Sequence, residues 1–133
     1  MAIAELFPIR LPRLLDMDAR DARIILATRS WCIFRRAALD PMPRMAEYLQ
    51  SDISATRLAL LMNAVQQVWT EPFAVHRPCC AAASADEMQL IAMIRLATAE
   101  RRPGFDTLLS EMLGSEARDL LFSRAATLYQ EQL

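Results

Sequence analysis

The residues able to do chemistry gather in one stretch, HRPCCAAASADE, residues 76–87. It holds the only histidine, His76, and two of the three cysteines, Cys79 and Cys80. Imidazole and thiolate are ligands that zinc and iron favour, and a structural zinc site normally closes with four. The loop offers three such side chains, and Cys32 is the remaining source of a fourth. The spacing argues against an ion. Adjacent cysteines in an extended chain point to opposite sides, and the Cys-x-x-Cys pairing is missing. We therefore expect no bound metal or other cofactor, with His76, Cys79, Cys80 and Cys32 as the candidate ligands if an ion does bind.

A reactive thiol is the second chemistry this stretch allows. Arg77 and His76 lie beside the cysteines, and a helix start follows at Ser84. Positive charge and the N-terminal end of a helix dipole both favour thiolate. A cysteine–histidine pair does acyl chemistry when a third group orients the ring. Glu71 and Asp86 are the nearest carboxylates in sequence, and neither has an obvious orienting role. The plainer reading is a loop whose small cysteines pack against the core.

Three other patterns carry weaker signals. Residues 108–125, LLSEMLGSEARDLLFSRA, read as two helices joined at Gly114 and so as a possible helix-turn-helix. A recognition helix presents Arg, Asn or Gln to bases and phosphates. Here Glu116 and Asp119 offset Arg118 and Arg124, which argues against a nucleic-acid partner. Arg20, Arg23, Arg35 and Arg36 line the first helical segment, and Arg101 and Arg102 end a later one. A solvated face, ion-paired to Asp16, Asp18 and Asp21, accounts for the first group. Methionines at 45, 62, 88 and 112 fall on apolar stripes and read as core. With one histidine, the paired Glu-x-x-His motifs of di-iron bundles are impossible.

The elements that must position these residues are helical. Ile24, Thr28, Trp31 and Cys32 recur at helical spacing within Asp18–Leu39, with Arg20, Arg23 and Asp21 directed elsewhere. Asp40 and Pro41 start a short helix to about Gln50. Ser54 opens a stronger one, carrying Leu58, Leu61, Met62, Val65 and Trp69 as far as Thr70. Residues 71–83 form the longest loop. Ser84 and Glu87 make a capping box, and the helix behind it, apolar on nearly every side, runs to about Arg101. RRPGFD reads as a turn. Phe105 to Leu113 follow as a helix that Gly114 ends, and Ser115 caps the last, which reaches Gln132. The expectation is a single all-α domain over residues 1–133, a compact bundle of five to six helices with no sheet. Residues 1–15, with Pro8 and Pro12 among apolar side chains, should form an extended arm.

Composition narrows the function classes. Glycine occurs only at 104 and 114, which disfavours phosphate-cradling loops and dinucleotide fingerprints. No lysine is present, so Schiff-base chemistry and P-loops are excluded. Fifteen basic and 16 acidic residues give a formal charge of −1, which offers polyanions no general attraction. No stretch is long and apolar enough to span a membrane, and the N-terminal residues do not resemble a signal peptide. An odd cysteine count suits a reducing cytoplasm.

At DARIILATRS and again at CCAAASADEMQLIAMIRLA the chain resembles a small family of all-helical alphaproteobacterial proteins, a domain of unknown function. The shared features are Asp21 to Arg23, then Cys79 and Cys80 just before the Ser84–Glu87 helix start. Ala81 stands where the family carries a further cysteine or proline. The resemblance implies a helical fold and a bacterial cytoplasmic origin, and it implies no activity. Hydrophobic residues make up 54% of the chain, more than a domain this small readily hides. The expected role is therefore a non-enzymatic interaction or regulatory module that self-associates, most simply as a homodimer or with a protein partner. The rival is a thiol- or metal-dependent protein built on the His76 loop.

Overall fold

The structure, a computed structural model, describes residues 12–130. Most of the expected apolar arm, residues 1–11, lies outside that range. Among the described residues there are six helices and no strand, so the fold is all-α.

A 3-10 turn, Leu14–Asp16, precedes α1 (Ala19–Arg36). Asp18 caps α1 by accepting a hydrogen bond from the Arg20 backbone N–H at 2.8 Å, which satisfies one donor that the first turn leaves open. The inward stripe of α1 holds Ile24, Ile25, Thr28, Trp31 and Cys32. The helix stops at Arg36, short of the expected Leu39, because Ala38 takes a left-handed φ of 58°. The Leu39 N–H then returns to the Phe34 carbonyl at 2.8 Å, and the Leu39 side chain stands 60% exposed.

In α2 (Met42–Leu49) Asp40 accepts from the Met42 N–H at 3.0 Å. Pro41 precedes the helix, and Pro43 occupies its second position, where a missing N–H costs nothing. The next helix, α3 (Asp52–Val68), starts one cap earlier than the spacing suggested. Ser51 is the cap, accepting from the Ser54 N–H at 3.1 Å, and the Ser54 hydroxyl donates to the Leu128 carbonyl at 3.3 Å. The 69–84 connection leads into α4 (Ala85–Thr98), whose Ser84–Glu87 capping box forms as expected. α4 stops at Thr98, and two residues on Glu100 is another non-glycine residue at positive φ (57°).

RRPGFD is a helix start and not a turn: α5 (Arg102–Leu109) contains most of it, with Pro103 in its first turn. Gly114 does not end that helix in a left-handed conformation. It has φ −73° and ψ 174° and is the cap residue of α6 (Ser115–Ala126). The last helix thus ends at Ala126, and Leu128 is buried in the turn beyond it.

α1 packs against α2, α3 and α4; α3 also meets α2 and α6, and α4 meets α5 and α6. Ile25, Leu58, Leu61, Met93, Phe105 and Leu121 lie completely buried where these helices meet. Of the methionines read as core, Met45 and Met62 are buried, whereas Met88 and Met112 are half-buried.

Candidate functional site

The 76–87 loop is organised by a residue that the apolar periodicity did not single out. Arg29, on the inward face of α1, is completely buried, and so is Glu87. The Arg29 guanidinium grips that carboxylate with two parallel bonds, Nε to Oε2 at 2.7 Å and an Nη to Oε1 at 2.9 Å. Two further N–H groups reach the loop backbone, donating to the Cys80 and Ala82 carbonyls at 2.9 Å each. Glu87 Oε1 also accepts from the Ser84 N–H at 2.8 Å. One carboxylate therefore closes the helix cap and neutralises the buried cation. This fork-to-fork geometry is specific to arginine.

The chain entering the domain is tied to the same place. The Leu14 N–H donates to the Ala81 carbonyl at 2.7 Å, and the Ala83 N–H donates to the Pro12 carbonyl at 2.9 Å. Arg13 and Ala82 form an isolated antiparallel bridge. The end of the arm lies along the domain, although Leu15 is 85% exposed.

Within this frame His76 Nδ1 sits 2.8 Å from the Ala82 carbonyl and 3.6 Å from Cys80 Sγ. A carbonyl only accepts, so Nδ1 carries the proton and cannot take one from the thiol. The pair therefore lacks the base–nucleophile relation that acyl transfer needs. Cys79 points to solvent and Cys80 is half-buried, so the adjacent cysteines diverge. Cys32 is buried in α1, and burial pushes its thiol up to about 11, with Arg36 partly opposing the rise. Among the described residues, no three His, Cys, Asp or Glu side chains are arranged to hold a metal ion. Neither Glu71 nor Asp86 orients His76. Asp86 instead accepts from the Ala74 N–H at 2.7 Å and from Trp69 Nε1 at 3.4 Å.

The helix-turn-helix reading meets a similar internal use of charge. Arg124 on α6 donates to the Leu60 carbonyl at 2.7 Å. Arg118 lies 3.7 Å from Asp106, and Arg102 pairs with both Asp106 and Asp119. The carboxylates beside the α1 arginines are not all solvated, contrary to the expectation from sequence. Asp21 is buried, not solvated, and pairs with Arg95 of α4. Arg20 stacks its guanidinium 3.6 Å over the Tyr129 ring.

A second feature is a groove of about 550 Å³ between α1, α3 and the chain just after α3. Trp31, Cys32, Arg35 and Arg36 form one side, and Trp69, Glu71 and Phe73 form the other. Both tryptophans of the chain line it. Sequence periodicity assigned them to buried stripes, yet Trp69 is only half-buried. The chain matches no family model, no curated protein and no solved structure.

Proposed function

We propose that this chain is a non-enzymatic interaction module that pairs with a second copy of itself through the outer face of α3. The observation that carries this reading is the exposure of Ile53 and Leu60, at 43% and 46%. Seven residues apart, they lie on one side of the helix, the spacing by which helices pair. Thr56, Asn63 and Gln67 continue the same stripe without a charge, and charge is depleted at interface centres. The flanking arginines are occupied by carbonyls, Arg57 by those of Thr127 and Gln130 and Arg124 by that of Leu60. A face pairing with its own copy gives a closed twofold dimer.

Two features support the non-enzymatic part. The His76 Nδ1 proton is held by a backbone carbonyl, and the charge of Arg29 is spent within the fold. Three free cysteines suit a reducing compartment, and on this reading the module works in a bacterial cytoplasm. No helix among the described residues is long and apolar enough to cross a membrane.

Sedimentation velocity tests the proposal. The expected result is a dimer at micromolar concentration. Leu60→Arg should sediment as a monomer with unchanged far-UV circular dichroism. A wild-type monomer at that concentration, or a Leu60→Arg variant that stays dimeric, overturns it.

A further inference from the structure

We infer that the groove between α1 and α3 binds a small monoanionic carboxylate with a flat aromatic body. The inference does not rest on the exposed Ile53 and Leu60 that carry the self-association reading; Asn63 alone serves both faces.

Both walls are built in advance. Trp69 and Phe73 meet edge to face, 5.4 Å between ring centroids. Asp86 of α4 fixes that wall from behind, holding the Trp69 indole N–H and the Ala74 backbone N–H with its two oxygens. On the opposite side the Arg35 guanidinium lies 4.8 Å over the Trp31 ring and donates one N–H to Asn63 Oδ1 at 3.0 Å. An arginine resting over an indole and hydrogen-bonded through one nitrogen is restrained, and its guanidinium fork matches a carboxylate. No carboxylate of the described residues pairs with Arg35 or with its neighbour Arg36.

The balance of charge selects the ligand. Among the side chains that line the groove, two arginines face one exposed acid, Glu71, so the lining carries one net positive charge, while the Asp86 carboxylate behind the wall is engaged by the Trp69 and Ala74 N–H groups. The Cys32 thiol beside Trp31 adds no charge, because burial keeps it protonated at neutral pH. The Trp69 and Phe73 rings favour a flat body, and the volume lies within the usual range for small-molecule sites. The last turn of α1 supplies both arginines, so its carbonyl ends soften the positive field without reversing it.

Because Trp31 and Trp69 both line the groove, intrinsic tryptophan emission reads its occupancy. The full chain is titrated with 4-phenylbutyrate and, separately, with its neutral amide. The expected result is saturable quenching by the carboxylate, with the amide at least ~10-fold weaker, the effect of losing a charge-assisted bidentate bond. Arg35→Gln and Arg36→Gln replace exposed side chains, so both variants stay folded and each weakens the carboxylate. Glu71→Gln removes the opposing charge and tightens binding roughly twofold, a gain that misfolding cannot produce. Equal binding of acid and amide, unchanged affinity in both arginine variants, or no saturation up to millimolar carboxylate overturns the inference.

Discussion

Arg29→Met offers the sharpest test of what holds the 76–87 loop. The replacement fills much of the same space and removes the cation. Glu87 is then a completely buried carboxylate whose remaining partner is the Ser84 N–H. Breaking a buried pair on one side costs about 3–5 kcal/mol, because the surviving charge loses its compensation without regaining water. The Cys80 and Ala82 carbonyls lose a donor each, but both are near enough to solvent for water to replace much of that loss. The expected deficit is thus about 3–5 kcal/mol, a large part of the 5–15 kcal/mol typical of a domain. Glu87→Gln strands the arginine instead while leaving an acceptor for the Ser84 N–H. The Arg29→Met, Glu87→Gln double variant strands neither charge, and it should recover at least ~2 kcal/mol relative to the sum of the single changes. Urea denaturation of the four proteins, followed by far-UV circular dichroism, measures the cycle. A single-variant cost below ~1 kcal/mol, or additivity within ~0.5 kcal/mol, would refute the view that this ion pair clamps the loop.

Further tests address the ends of the helices and the buried titrating groups. Ala38→Gly should stabilise the chain by about 1 kcal/mol in thermal or urea unfolding, since alanine at φ 58° bears a steric cost that glycine avoids. Tyr129→Phe should leave stability unchanged or raise it by up to ~1 kcal/mol, because the Tyr129 hydroxyl is buried without a hydrogen-bond partner. Burial raises the Cys32 thiol from 9.0 to about 11, so the unfolded chain ionises first as pH rises. The stability this thiol contributes is present below pH 9 and is lost up to about pH 11, and Cys32→Ala should flatten that part of the alkaline limb. In a timed alkylation followed by mass spectrometry, exposed Cys79 should react first and Cys32 last.

The all-α class and the Ser84–Glu87 helix start were legible because each rests on local pattern. Leu58, Leu61, Met62 and Val65 repeat at helical spacing, and a capping box is a signal four residues long. The helix ends were less so. Ala38, Gln50 and Glu100 all adopt positive φ without being glycine, each against about 1–2 kcal/mol of local strain, and no residue type in the sequence marks such a stop. Gly114, read as a helix stop, faces the other way and starts α6. Arg29 was hidden for a different reason. A charge on an apolar stripe gains meaning only once its partner is known, and Glu87 lies 58 residues away. The position was visible all the same, since Arg29 continues the Ile25 and Cys32 side of α1 at helical spacing. The groove was not visible, because Trp31 and Trp69 belong to two separate apolar patterns that meet only when α1 and α3 pack.

The tie between Arg29 and the loop also bears on how quickly the chain folds and lets go. Most contacts in a helical bundle are local and form early, whereas this one joins residues 51 to 58 positions apart. It also requires two charges to shed their water, which is favourable only after the apolar core around Ile25 and Leu90 has closed. The clasp therefore forms after the main barrier. Loosening it should accelerate unfolding and leave the folding limb of a chevron nearly unmoved, so Arg29 sets the lifetime of the folded chain more than its speed of assembly.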